Sequence, residues 1–225
     1  MSEIIKKYHS RWIEDKKDLK KQEYLSARVF ETIELLFTKI LKREFKGKLL
    51  DVACGDGSFV KVCNKKGLEA GGIDINHGCD FESDKLPYGD NEFDIVFMYS
   101  IVEHLHNPDN ILNEIKRVLK KNGVVTIITP EWRYSFKSFY EDPTHIRPYT
   151  SRSLSLLMGM YHFKKSFLGL WTVKKSPLVW KMPENFQFLY GKLLPFSGLN
   201  KYAPGFLKGK STTMLACFIN YKEKD

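Results

Sequence analysis

The sequence predicts an α/β fold, a mostly parallel sheet layered between helices, on three observations. Leu49-Leu50-Asp51-Val52 is a short apolar strand that runs into the turn Ala53-Cys54-Gly55-Asp56-Gly57 and then into a helix opening at Ser58-Phe59-Val60. Ile95-Val96-Phe97-Met98-Tyr99-Ser100 and Val124–Thr129 are nearly unbroken apolar runs, the pattern of strands covered on both faces. Between them Ile111, Ile115, Val118 and Leu119 repeat at helical spacing. Strand–helix–strand alternation of this kind builds parallel sheets, because the crossover needs a helix.

The 225 residues fit one domain with an insertion: helices over 1–48, a core over 49–150 and an inserted segment over 172–210. Hydrophobic residues at 43% and charged residues at 28% exclude a disordered or fibrous chain. No apolar run has the length of a membrane span, and Met1–Lys7 lacks a signal-peptide core, so a cytoplasmic location is expected. Cys54, Cys63, Cys79 and Cys217 form no C-x-x-C pair, which suits reduced thiols and gives no metal-ligand spacing. The net charge of +9 is unevenly placed: +5 over 1–48, −5 over 49–150 and +9 over 151–225. A basic C-terminal third suits an anionic partner such as phosphate, acidic glycan, nucleic acid or a membrane surface, and equally a lysine-rich solvated face.

Along the chain, Val29, Ile33, Leu36 and Ile40 make one stripe of a helix over 26–42, expected to pack on the sheet and to stop before Gly47. A charged helical piece, Tyr8–Lys21, precedes it with Trp12 and Ile13 as anchors. After the glycine turn a helix over 58–66 closes at Gly67, and the next strand, Ala70–Ile75, carries Asp74 at its end. Only four residues, Ile75–Gly78, separate Asp74 from Cys79-Asp80-Phe81, too few for a parallel crossover, so a third strand there is vestigial or absent. Gly89-Asp90-Asn91 is a turn before the central strand. Asn107-Pro108-Asp109 starts a helix expected to run to Lys121 and to stop at Asn122-Gly123. Residues 132–150 form a long aromatic loop, Thr150 or Ser151 caps a helix to about Met160, and strands follow over 162–171 and 212–221.

The pattern D-x-A-C-G-x-G, Asp74 at 23 positions beyond Asp51, and Leu86-Pro87-Tyr88 through Asp94 resemble the class I S-adenosylmethionine-dependent methyltransferases, type 11-like group, from about Phe45 to Thr150. Pro143-Thr144-His145-Ile146-Arg147-Pro148 resembles a segment that closes over the substrate side in one branch of them. Ala53 stands where that family usually has its first glycine. The resemblance implies a Rossmann-like three-layer sandwich ending in an antiparallel hairpin, with S-adenosyl-L-methionine as cofactor. It implies cofactor contacts from Asp51, Ala53, Cys54, Gly55, Gly57, Asp74, Ile75 and Tyr99, with Asp74 accepting both ribose hydroxyls. Asp80 would bond the adenine amino group and Phe81 would pack near the ring, with Glu82 or Asp84 as alternatives to Asp80.

An alcohol acceptor needs a base near the transferring methyl, and His145 and His104 are the candidates, His145 favoured. Glu103, Trp132, Tyr140 and Arg147 are candidate acceptor contacts, and no metal is expected. The acceptor expected is a small molecule, a glycan or a lipid-linked metabolite, reached from the cytoplasm or at the inner membrane face through the basic aromatic stretch 172–210. Two other classes compete. A nucleic-acid methyltransferase would suit the basic tail, but Tyr99-Ser100-Ile101-Val102 is not the Asn/Asp-Pro-Pro-Tyr box of enzymes acting on base amino groups. A non-catalytic cofactor-binding protein is the other.

Overall fold

The computed structural model describes residues 19–172, 176–196, 202, 204 and 210–221. Within them six strands, β1 (Lys48–Val52), β2 (Glu69–Ile73), β3 (Phe93–Tyr99), β4 (Leu119–Pro130), β5 (Phe163–Leu170) and β6 (Thr213–Asn220), form one sheet ordered β2-β1-β3-β4-β6-β5. The first four are mutually parallel, and β6 lies antiparallel between β4 and β5. This is the Rossmann-like arrangement expected, hairpin included. The chain leaves β1 in one direction for β2 and returns to its other side for β3, so the order reverses between β1 and β3. Ligand crevices of open sheets form there, beyond the carboxyl ends of the strands. The register pairs Val52 with Met98, which sets the glycine turn beside Tyr99.

Helices α1 (Leu19–Leu35), α2 (Ser58–Lys65), α3 (Asp109–Val118), α4 (Trp132–Ser135), α5 (Ser151–Met160), α6 (Ser176–Val179) and α7 (Glu184–Leu193) complete the described elements. Helix α1 begins at Leu19, earlier than the expected Ser26, and passes into a π turn over Leu36–Leu41 that ends at Lys42 with φ 55. Ile33 and Leu36 are fully buried as the stripe requires, but so are Phe30 and Phe37, which it omits. The wider turn brings adjacent Leu36 and Phe37 inward together. They pack with Phe45, Phe59 and Cys63 against one face of the sheet, the packing role expected of this helix. Trp12 and Ile13 lie outside the described residues.

Helix α3 buries Ile111, Leu112, Ile115 and Val118 on the other face, worth about 2 kcal/mol each against solvent exposure. Its N-cap is Pro108 and not the expected Asn107, which lies one residue earlier and accepts the Asp109 N–H on Oδ1 at 3.0 Å. The helix ends at Val118, not at the expected Lys121: Leu119 is already strand, and Asn122 at φ 62 makes the local irregularity before the buried run. Tertiary pairing of Leu119 with Phe93 outweighs the helical preference of Lys120 and Lys121.

No strand forms over 74–92, as the short crossover requires, and β2 is left at the edge of the sheet. Exposed edge groups invite mispairing. Here the Asn64 amide donates to the Ala70 carbonyl and accepts its N–H, both at 2.9 Å. Residues 79–90 find their partners on α3 instead. Asn110 donates to the Phe81 and Asp84 carbonyls, Glu114 accepts the Leu86 N–H at 2.8 Å, and Arg117 donates to the carbonyls of Leu86 and Tyr88.

The opposite edge, β5, is covered by the segment that follows it. Gln187 of α7 is buried and accepts the Leu170 N–H at 3.0 Å, while Trp180 Nε1 donates to the Leu170 carbonyl at 2.9 Å. Of the expected insertion 172–210, residues 173–175, 197–201, 203 and 205–209 lie outside the described residues. No helix among the described residues is long and apolar enough to cross a membrane.

Candidate active site

Two groups of side chains meet at the carboxyl ends of β1, β2 and β3. The first surrounds the turn after β1. Ala53, Gly55 and Gly57 all have positive φ, at 64, 56 and 71°, so three left-handed residues in five fold the backbone back on itself. A Cβ added at Gly55 or Gly57 would meet nothing within 4 Å, so the turn lies open. Gly72 beneath it is different: a Cβ there would lie 2.8 Å from Cys54 Sγ, so its missing side chain is what lets the turn sit on β2.

Ala53 pays a steric cost that glycine would not. A left-handed L-residue is disfavoured by roughly 1 kcal/mol, and Ala53→Gly is expected to stabilise the protein by about that much. In a chain of this size that is a rise of about 2–4 °C in thermal midpoint. A midpoint lowered by the substitution would show that the turn is not strained.

Asp74 follows β2 and is buried, 6% exposed. Its Oδ2 accepts the Gly55 N–H at 3.0 Å; its Oδ1 accepts the backbone N–H and side-chain amide of Asn76 at 3.1 and 2.8 Å. Gly55 and Asn76 thus hold this carboxylate fixed beside the turn. Ile75 is half-buried in the following 3-10 turn. Asp51, 3% exposed, lies under the same turn. Burial, with the charges of Asp74 and Asp56 added, pushes its carboxyl well above the usual range. Burial and the same acids push the Cys54 thiol up to about 12, so it stays a neutral, small apolar group and no nucleophile.

The other expected donor contacts divide. Tyr99 is 40% exposed and packs edge-on to Trp171 at 6.1 Å, so its ring borders the crevice. Phe81 is 2% exposed within the core beside Leu86, placed to support the crevice wall and not presented at its surface. Asp80 is half-buried and ties its own turn, accepting the Glu82 N–H at 3.0 Å. Glu82 accepts the N–H groups of His106 and Asn107, and Asp84 accepts that of Asp80, so both carboxylates hold backbone.

The second group comes from the end of β3 and the loop 132–150. Glu103 is fully buried; Thr129 donates to its Oε2 at 2.9 Å, and Oε1 has no partner. Burial pushes its carboxyl up to about 7 against the Thr129 bond, which lowers it. The backbone carbonyl of Glu103 accepts the N–H groups of Ile146 and Arg147, which docks the loop onto the strand end. His104 and His145 then lie with ring centroids 4.8 Å apart. His145 also packs on Phe139 at 4.5 Å, and Trp132 touches both Phe139 and Tyr140. Tyr140 is 58% exposed. Arg147 donates to the His106 carbonyl.

The tautomers follow from the partners. His145 Nδ1 faces the Phe139 carbonyl at 2.6 Å, and a carbonyl only accepts, so Nδ1 carries the proton. His104 Nδ1 faces the Thr144 carbonyl and hydroxyl, both at 3.0 Å. That hydroxyl gives its one proton to Asp142 Oδ1 at 2.6 Å, so His104 Nδ1 donates as well. In its neutral form each ring therefore holds its lone pair on Nε2. Burial raises the Asp142 carboxyl, but the two Thr144 bonds outweigh it and hold the group below its usual range.

Thr129, Thr144 and Asp142 were not among the residues read from sequence, although Asp142-Pro143-Thr144 is an Asx-turn pattern. His104 and His145 were expected together in the pocket; that Glu103 joins them as a third member was missed.

A family model described as a methyltransferase domain matches residues 22–165. The chain belongs to that family. It is similar to an uncharacterised protein of Methanocaldococcus jannaschii, 31% identical over 44% of this chain and 54% of that protein. It is also similar to a ubiquinone/menaquinone biosynthesis C-methyltransferase of Burkholderia mallei, 30% identical over 36% of this chain and 42% of that one. The chain thus spans about half the length of the curated relatives it matches. Among solved structures, the fold matches a methyltransferase of Archaeoglobus fulgidus (TM-score 0.52, 19% identity, 85% of this chain and 94% of that one). It also matches one from Mesorhizobium loti (TM-score 0.55, 10% identity, 76% and 90%). S-adenosylmethionine is the cofactor expected of this family, and the open turn with the Asp74 carboxylate beside it fits such a group.

Proposed function

We propose that the chain acts as one unit that methylates a hydroxyl of a small molecule, a glycan or a lipid-linked metabolite. S-adenosylmethionine supplies an already activated methyl group, so the protein's task is to place and deprotonate the acceptor. The turn at 53–57 and Asp74 hold the donor, with Ile75 and Tyr99 along its adenosyl group. His145, the more exposed of the two imidazoles, takes the acceptor proton on Nε2, and His104 lies beside it within the pocket. Glu103, Trp132, Tyr140 and Arg147 shape the acceptor side. The observation that carries this reading is the pair of imidazoles at the end of β3, each held with its lone pair on Nε2 by a backbone carbonyl.

The segment after β5 supports a peripheral contact with an anionic surface. Helix α7 exposes Phe186 and Leu193 at 59 and 73%, with Leu178 at 75% nearby and Lys181 and Lys192 among them. A second reading, methylation of carbon, is favoured by the Burkholderia relative, which is a C-methyltransferase.

The test is an intact-mass screen with isotopically labelled donor against alcohols, glycans and quinone precursors, offered free and in anionic vesicles. A product whose label sits on oxygen supports the first reading, and a C-methyl resonance by NMR supports the second. His145→Ala is expected to cost at least about 100-fold in turnover while donor affinity stays at the wild-type value. Wild-type turnover in that variant would remove His145 as the base.

A further inference from the structure

Glu103, His104 and His145 each offer a ligand atom, and the three atoms lie within 4.8 Å of one another. We propose that they form a binding site for a divalent transition-metal ion of the Zn2+ or Mn2+ type. Spacing along the chain gives no metal-ligand cluster; the fold brings residue 145 to residues 103 and 104.

Three independent features support the site. The ligand set is one carboxylate and two imidazoles, which suits ions that accept mixed nitrogen and oxygen donors and not the all-oxygen shells of Ca2+ or Mg2+. Both imidazoles donate Nδ1–H to backbone carbonyls, the outer hydrogen bond by which metal-ligating histidines are held with Nε2 toward the ion. Finally, Glu103 is a fully buried carboxylate whose Oε1 has no partner, while its other oxygen is held by Thr129. A buried polar atom left unsatisfied is costly, and a cation removes that cost.

Metal–ligand bonds of about 2.1 Å put ligand atoms roughly 3.4 Å apart in a tetrahedral site, so the cluster must tighten. His145, half-buried and carried on the loop, is the member free to do so. With three protein ligands the ion keeps an open position, and there it would hold the acceptor hydroxyl and make it more acidic, so that its proton leaves to solvent; this replaces His145 as the base, because the His145 Nε2 lone pair then binds the ion. That role rests on the function proposed above; the site itself does not.

Co2+ is the probe, titrated near neutral pH into full-length protein stripped with a chelator and followed by visible absorption and by bound metal per chain. The expected result is about one equivalent with d–d bands, weakened at least tenfold in both Glu103→Gln and His145→Gln. Near-ultraviolet circular dichroism checks that each variant is folded, and His106→Gln, an exposed histidine outside the cluster, is expected to bind as wild type does. Binding well below one equivalent, or binding that neither cluster substitution weakens, overturns the site. Donor affinity is measured in parallel by calorimetry without metal. A protein that binds donor but no Co2+ loses the ion and keeps its methyltransferase reading.

Discussion

Asp74→Ala is expected to weaken S-adenosylmethionine binding about 100-fold, or about 3 kcal/mol, measured by calorimetry. Two losses combine. The carboxylate stands beside the turn where it would accept a ribose hydroxyl, and a hydrogen bond to a charged group contributes about 1.5–3 kcal/mol. The same carboxylate holds Gly55 N–H through Oδ2, so its removal frees the turn that cradles the donor. It also strips two bonds from Asn76, so the apo protein is expected to melt lower as well. Asp74→Asn separates the two parts. It keeps an acceptor of the same shape for either Gly55 or Asn76 but drops the charge, so its melting point should lie nearer wild type than its affinity does. An unchanged affinity in Asp74→Ala would remove Asp74 from the donor site.

The elements around this turn were legible in the sequence because each local signal agrees with the packing. Leu49–Val52 is apolar and paired on both sides; Ser58–Lys65 opens after a glycine and closes before one; Thr150 caps α5 through a reciprocal bond with Ser153. The empty place of the third strand could be read from chain length alone, since four residues cannot make a crossover. What failed was decided by distant partners. Leu119 belongs to the strand because Phe93 pairs with it, and Phe37 is buried because a π turn rotates it inward. Half of the acceptor side was invisible for the same reason. His104 and His145 could each be singled out by residue type, but their tautomers depend on carbonyls of Thr144 and Phe139 that only the folded loop supplies.

Arg117 shows how the chain compensates for the missing strand, and Arg117→Ala is expected to cost about 3 kcal/mol, a fall of roughly 6–12 °C in thermal midpoint. Its guanidinium donates to the Leu86 carbonyl at 3.1 Å, the Tyr88 carbonyl at 2.8 Å, Asp90 at 2.8 Å and both oxygens of Glu114. The carboxylate of Glu114 in turn accepts the Leu86 N–H, so one ion pair on α3 satisfies the backbone that a neighbouring strand would otherwise pair. At 18% side-chain exposure for Arg117 and 13% for Glu114 the pair is mostly shielded, which sets it apart from surface bridges worth under about 1 kcal/mol. Alanine leaves a half-buried carboxylate without its cation and two carbonyls without donors. Lysine should recover little, because one ammonium cannot span acceptors that a planar fork reaches together. Hydrogen exchange discriminates this account from general destabilisation. Amides of residues 79–90 should exchange faster in Arg117→Ala by more than those of β4, since that segment hangs on α3 while β4 is paired on both sides. Equal acceleration in the two places would mean that Arg117 supports the whole core and that residues 79–90 are held by their buried side chains, Phe81 and Leu86, without it.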